Sequence, residues 1–147
     1  MREITTHHTN EANKALVIKA IDREGEPVAY QVMTDPLPTL PGKVFVELPF
    51  QRGPIKEVGI NGITLEVLLA IARDKLERHQ FTKHACTEND DAIAAVVEAA
   101  AHLESRTKRR TAEGVEGTHM LDKGAREADV ITPADVGSVD DVLGTKG

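Results

Sequence analysis

Arg106 and Arg110 stand four residues apart in the run Arg106-Thr107-Lys108-Arg109-Arg110, near the end of what reads as a long helix. That spacing puts both side chains on one helix face. Forked guanidinium groups so placed can hold a diphosphate or a cyclic phosphodiester through paired hydrogen bonds. Basic residues near a helix C-terminus also offset the helix dipole with no ligand at all, so the cluster by itself leaves both readings open. Phe81, the one aromatic near the bend before this helix, offers a ring for a base to stack on. Asn89 offers a carboxamide able to pair with an adenine edge. A ring that plugs the core and a carboxamide that faces water fit the same residues.

Other chemistries have less behind them. His79, His84 and Cys86 are three scattered potential ligands with no second cluster and no C-x-x-C, so no metal is expected. His102 lies among alanines in mid-helix and reads as a packing or hydrogen-bonding residue. There is no serine in a nucleophile-elbow setting and no phosphate loop of the G-x-x-x-x-G-K-[ST] type. The expectation is a binding protein without cofactor, not an enzyme.

A formal charge of -6 argues against DNA, RNA or an anionic membrane as partner, since such binding rests on a summed positive field. A small anion needs only a local cluster. The lone Cys86 cannot form an internal disulfide, and neither a signal-like apolar stretch nor a run of about 18 apolar residues is present, so a cytoplasmic setting is expected.

The elements that must position these residues are legible in outline. Residues 1–13 read as a frayed polar terminus, with His7 and His8 side by side. Ala15–Ile21 and Val28–Met33, separated by Asp22-Arg23-Glu24-Gly25-Glu26, have the pattern of a β-hairpin. Pro36, Pro38 and Pro41 make the next segment a connecting loop. Lys43–Phe50 alternates like a strand, and Ile55–Val58 reads as a short one after the Gly53-Pro54 turn, giving an antiparallel meander of about four strands over residues 14–60. Thr64 is a candidate N-cap for a helix whose Leu65, Leu68, Leu69, Ala72 and Leu76 form one apolar stripe. Thr87, followed by Glu88, Asp90 and Asp91, is the candidate cap of a second helix running to about Ala112. Its seam of Ile93, Val96, Ala100, Leu103, Thr107 and Arg110 suits an antiparallel helical hairpin over residues 64–113. The alanines elsewhere on that helix allow close approach, so the hairpin is also expected to pack against other subunits. The fold class is therefore α+β: an N-terminal antiparallel β-meander, then a long α-helical hairpin, in one domain spanning 1–119, with 120–147 expected as a mobile tail.

The run Gly53-Pro54-Ile55-Lys56-Glu57-Val58-Gly59-Ile60-Asn61-Gly62-Ile63-Thr64, followed by Leu68-Leu69-Ala70-Ile71 and Asp74-Lys75-Leu76-Glu77, resembles the phage family of Thoeris anti-defence signal sponges. Glu88-Asn89, Arg106-Thr107, Arg110 and Gly114-Val115-Glu116-Gly117-Thr118-His119 resemble the hairpin that family shares with the anti-CBASS cyclic-nucleotide sponges. The resemblance spans about residues 53–119. It implies a protein that binds, without cleaving, a cyclic ADP-ribose-like immune messenger and takes cyclic oligonucleotides at separate pockets. It also implies a symmetric oligomer, a hexamer, with pockets between subunits in the cytoplasm of the infected host. By position, Phe81 would stack on the adenine, Asn89 would read its edge, Arg106 and Arg110 would hold the phosphates, and Thr118 and His119 of the 114–119 motif would close the pocket. Arg52 and Arg109 are the candidates for the second site. The bend Thr82-Lys83-His84-Ala85 and the alanine-rich second helix depart from the family pattern. The alternatives are an enzyme that degrades the same nucleotide, with His119, His84 or Glu113 as base, and a structural helical-hairpin adaptor.

Overall fold

The computed structural model describes residues 1–122 and Gly124. Among these, four strands form one antiparallel sheet in the order β1-β2-β3-β4: β1 Arg2–Ile4, β2 Leu16–Arg23, β3 Glu26–Thr34 and β4 Val44–Pro49. Each strand pairs with its neighbour in sequence. Ile18 lies opposite Val32, and Tyr30 opposite Leu48. The β2–β3 turn sets Glu24 at φ 54 and Gly25 at φ 85, the left-handed pair that a tight hairpin requires.

The sheet differs from the sequence reading at both ends. Residues 1–13 are not frayed, because β1 pairs with β2 and the short helix α1, Glu11–Lys14, is capped by Asn10, whose side chain accepts from the Asn13 amide at 2.9 Å. His7 Nε2 also meets the Leu16 carbonyl at 2.7 Å. A three-residue polar strand is too short to show alternation. Ile55–Val58, expected as a strand, is instead the helical turn α2. The Pro54 carbonyl accepts from the amides of both Glu57 and Val58 at 2.9 Å, and proline starts a helical turn without losing a needed donor. The place a further strand would take beside the end of β4 is filled by Ile63, which pairs in parallel with Phe50.

Two helices complete the chain: α3, Leu65–His79, and α4, Thr87–Ala112. Thr64 caps α3 as expected, accepting from the Val67 amide at 3.4 Å. At α4 the cap position is Cys86, which makes no side-chain cap bond, and Thr87 is the first helical residue. The helices pack on each other, and neither lies against a strand. α3 has no buried residue, and in α4 the buried residue is Arg110. The buried apolar residues are Val17, Ala20, Ala29 and Val115, a small set for the described residues. One face of the sheet, with Ile18, Tyr30, Val32 and Leu48, opens instead onto a cavity of about 760 Å³ that Ile63, Leu65 and Leu68 also line.

Candidate ligand-binding site

A second cavity, of about 580 Å³, lies where the loop before α2, the start of α3 and the end of α4 converge. Arg52, Arg106, Arg110, Thr118 and His119 all line it. Its volume is that of an ordinary small-molecule site. Residues drawn from the two ends of the sequence resemblance are thus in one place.

Their environments are not alike. Arg106 is exposed and forms no hydrogen bond or ion pair among the described residues, so its donors are free. Arg110 is 9% exposed and fully engaged. Its Nε donates to Glu116 Oε2 at 3.0 Å, and its Nη1 to Asp122 Oδ2 at 3.1 Å and the Met120 carbonyl at 3.3 Å. Its Nη2 donates to the carbonyls of Val115 at 3.0 Å, Thr118 at 3.2 Å and Met120 at 3.3 Å. The hydrogen bond it donates to Asp122, and after it the one to Glu116, raise the Arg110 pKa above its ordinary value against the opposing effect of burial. This guanidinium is the post around which the chain after α4 winds, and it presents an edge to the cavity.

That winding segment is shaped by local geometry. Gly114 and Gly117 have φ of 71 and 73, where a side chain would be strained. The Thr118 hydroxyl donates to the Val115 carbonyl at 2.6 Å and accepts from the Met120 amide at 3.2 Å. Gly117 lies flush on α2: its carbonyl accepts from the Lys56 amide at 3.3 Å, and a Cβ there would meet the Lys56 side chain at 3.1 Å. His119 Nδ1 is 2.9 Å from Glu57 Oε2. The 114–119 motif therefore forms one wall of the cavity, tied to α2. The chain stays ordered past 119, since Asp122 is bound to Arg110; position 123 and residues 125–147 of the expected tail lie outside the described residues.

Arg52 is placed by its backbone. Its amide donates to Asn61 Oδ1 at 2.8 Å and its carbonyl accepts from Asn61 Nδ2 at 2.7 Å, while Gln51 Nε2 donates to the Gly59 carbonyl at 2.9 Å. Its guanidinium pairs with Glu24 at 2.9 Å on the β2–β3 turn. Arg109, the other second-site candidate, donates to Asp122 Oδ1 at 3.1 Å.

Phe81 and Asn89 are elsewhere. Asn89 and Arg106 stand seventeen positions apart on α4, about 25 Å at 1.5 Å per residue. Phe81 is 83% exposed at the bend between α3 and α4. Asn89 Nδ2 donates to Gln80 Oε1 at 3.0 Å, and Gln80 also donates to Asp90 at 2.7 Å and to the Cys86 carbonyl at 2.9 Å. Gln80 is the residue that organises the bend; nothing in the sequence singled it out, since a lone glutamine after a helix has no distinctive pattern. The same holds for Glu57 and Asp122, whose roles depend on residues 62 and 12 positions away. No group of three or more metal-ligating side chains occurs among the described residues.

A four-stranded antiparallel sheet followed by a helical hairpin, with an arginine-lined cavity where they join, defines an α+β protein. Its sequence places it more narrowly. Over 70 residues it is 43% identical to Thoeris anti-defense 1 of Bacillus phage SBSphiJ7, a match covering 48% of this chain and 49% of that protein. The chain is thus related to the phage Thoeris anti-defence family, although it spans about half the length of the curated relative it matches. No protein-family model matches. Among the described residues, no helix is long and apolar enough to cross a membrane.

Proposed function

We propose that this chain is a phage anti-defence protein that sequesters a cyclic immune nucleotide, of the cyclic ADP-ribose type, in the infected host's cytoplasm without cleaving it. The observation that carries this reading is the convergence of Arg52, Arg106, Arg110, Thr118 and His119 on one cavity of about 580 Å³. Free donors on Arg106, beside a rigid wall built on Arg110, suit a phosphodiester better than an apolar ligand. The relative's anti-defence name supports the biological setting. A sponge must hold its ligand below signalling levels, and nanomolar binding corresponds to about -12 kcal/mol, which a preformed cavity makes easier to reach.

The distance between the two halves of the candidate site supports an oligomer. Phe81 in the bend and Asn89 at the start of α4 lie at the opposite end of that helix from Arg106 of the same chain, so a complete pocket takes the bend from one subunit and the arginines from another. Asn89 Oδ1 accepts no hydrogen bond among the described residues, leaving it able to accept from an adenine amino group. A hexamer is the assembly this reading carries. Arg109, which does not line the cavity of about 580 Å³, remains the candidate for a separate cyclic-oligonucleotide site, whereas Arg52, the other candidate, lines the same cavity as Arg106.

One observation favours a second reading. His119 held by Glu57 beside Arg106 is a histidine–carboxylate pair of the kind that acts as a general base. Titration calorimetry of the purified protein with a cyclic ADP-ribose isomer and a cyclic trinucleotide, followed by heat release and chromatography of the ligand, separates the possibilities. Tight binding with intact ligand recovered supports the sponge. Cleaved product makes the protein a nucleotide-degrading enzyme, and no binding leaves a structural adaptor.

A further inference from the structure

Gln80 ends α3 as its C-cap and is half-buried in the bend, one residue before the exposed Phe81. Its carboxamide is fully used. Oε1 accepts from the Cys86 amide at 3.1 Å and from Asn89 Nδ2 at 3.0 Å, while Nε2 donates to the Cys86 carbonyl at 2.9 Å and to Asp90 Oδ1 at 2.7 Å. A carboxamide can turn over and exchange its donor and acceptor ends at little steric cost, so its orientation is set by its partners. Here Cys86 settles it. A backbone N–H only donates and a carbonyl only accepts, so turning Gln80 over would set like against like at both Cys86 groups and at the Asp90 carboxylate. With Oε1 held toward Asn89, that residue must present Nδ2 to it. Asn89 Nδ2 also donates to the His84 carbonyl, at 3.4 Å. Both donors of Asn89 are therefore occupied inside the bend, and Oδ1 is left as an acceptor only.

We infer that Gln80 sets the base specificity of this chain: by locking Asn89 as an acceptor, it selects a purine with an amino group at C6 over one with a carbonyl there. This rests on the reading above that Asn89 meets the base of the ligand, and adds which bases are refused and by what device. An unrestrained asparagine serves either base, accepting from the amino group of adenine or, turned over, donating to the O6 of guanine or hypoxanthine. Locked, it meets O6 with its own oxygen, and two acceptors then face each other with no proton between them. Gln80 does not touch the base. It is a positioning residue, relaying the fixed polarity of the Cys86 backbone to the Asn89 side chain.

The probes are a cyclic ADP-ribose isomer whose adenine carries a free 6-amino group and its deaminated, hypoxanthine counterpart, titrated calorimetrically into the full chain and its variants at position 80. The unaltered protein is expected to bind the adenine form roughly 10- to 100-fold tighter. In Gln80→Leu that preference is expected to vanish, because Asn89 is free to turn over. Gln80→Glu loses both donor bonds, to Asp90 and to the Cys86 carbonyl, but keeps an acceptor facing Asn89. It should lower the melting temperature and retain the preference for adenine. Adding Asp90→Asn returns a donor between positions 80 and 90, and should restore part of the melting temperature with the preference unchanged. A residue that only holds the bend together would shift both affinities equally. An undiminished preference in Gln80→Leu therefore overturns the inference, as does its loss in the Gln80→Glu/Asp90→Asn double variant. Equally tight binding of both probes by the unaltered protein overturns this inference and leaves sequestration standing, whereas binding of neither overturns sequestration and takes this inference with it.

Discussion

At the scale of single residues, the two arginines that the spacing rule pairs are unequal in the structure. Arg106 has free donors, whereas Arg110 holds the following segment together through six hydrogen bonds. Arg106→Ala is expected to weaken nucleotide binding roughly 10- to 100-fold, as loss of a charge-assisted contact does, and to leave the melting temperature unchanged. Arg110→Ala should lower both, because it leaves buried carbonyls and Asp122 without their partner. Calorimetry and thermal scanning of the two variants check this together. Asp122 gives the pH dependence. Burial pushes its carboxyl up, but hydrogen bonds from Arg110, Gly124 and Arg109 more than offset that and hold its pKa below the usual carboxylate value. Its stabilising contribution is therefore complete above about pH 4, the unfolded-state value, and is lost as pH falls through the lower folded value. Asp122→Asn should flatten that part of an acid unfolding curve.

At the scale of elements, what the sequence disclosed depended on length and period. α3 and α4 are long and periodic: Thr64 caps α3 as expected, and α4 starts a residue from the expected cap and ends at Ala112. β2, β3 and β4 follow from alternation. β1 escaped notice because three residues cannot show a period, and α2 was misread because Ile55–Val58 has strand-like residue types while Pro54 turns the chain. Within the candidate site, Arg106 and Arg110 were visible from helical spacing, but Glu57, Gln80 and Asp122 act through contacts that no local pattern encodes. The join between sheet and hairpin rests on one small residue: a Cβ at Gly62 would lie 2.4 Å from the Phe50 carbonyl carbon. Gly62→Ala is expected to break the Gln51–Ile63 and Ile63–Pro49 hydrogen bonds and lower the melting temperature by several degrees, as about 1–3 kcal/mol does in a domain of this size. Gly59→Ala is not a neutral control, since Gly59 has φ 74, but Gly25→Asn at the β2–β3 turn is tolerated by its type and should cost little.

At the scale of the whole molecule, the apolar sheet face and the start of α3 line a cavity of about 760 Å³ that no further element covers among the described residues. A sheet face of this kind is stable when something packs on it. Leu68, 37% exposed on α3, borders that cavity. Leu68→Glu is expected to preserve helical content by circular dichroism while reducing the particle mass in sedimentation; an unchanged mass would show that the cavity is not at a subunit contact. The order β1-β2-β3-β4, with α3 on α4, also means that nearly every contact joins neighbours along the chain. Chains built from such local pairings fold quickly, because little loop entropy must be lost before contacts form. Under the oligomer proposed above, any slow phase in refolding should scale with protein concentration, because the step left after these local pairings form is the meeting of chains.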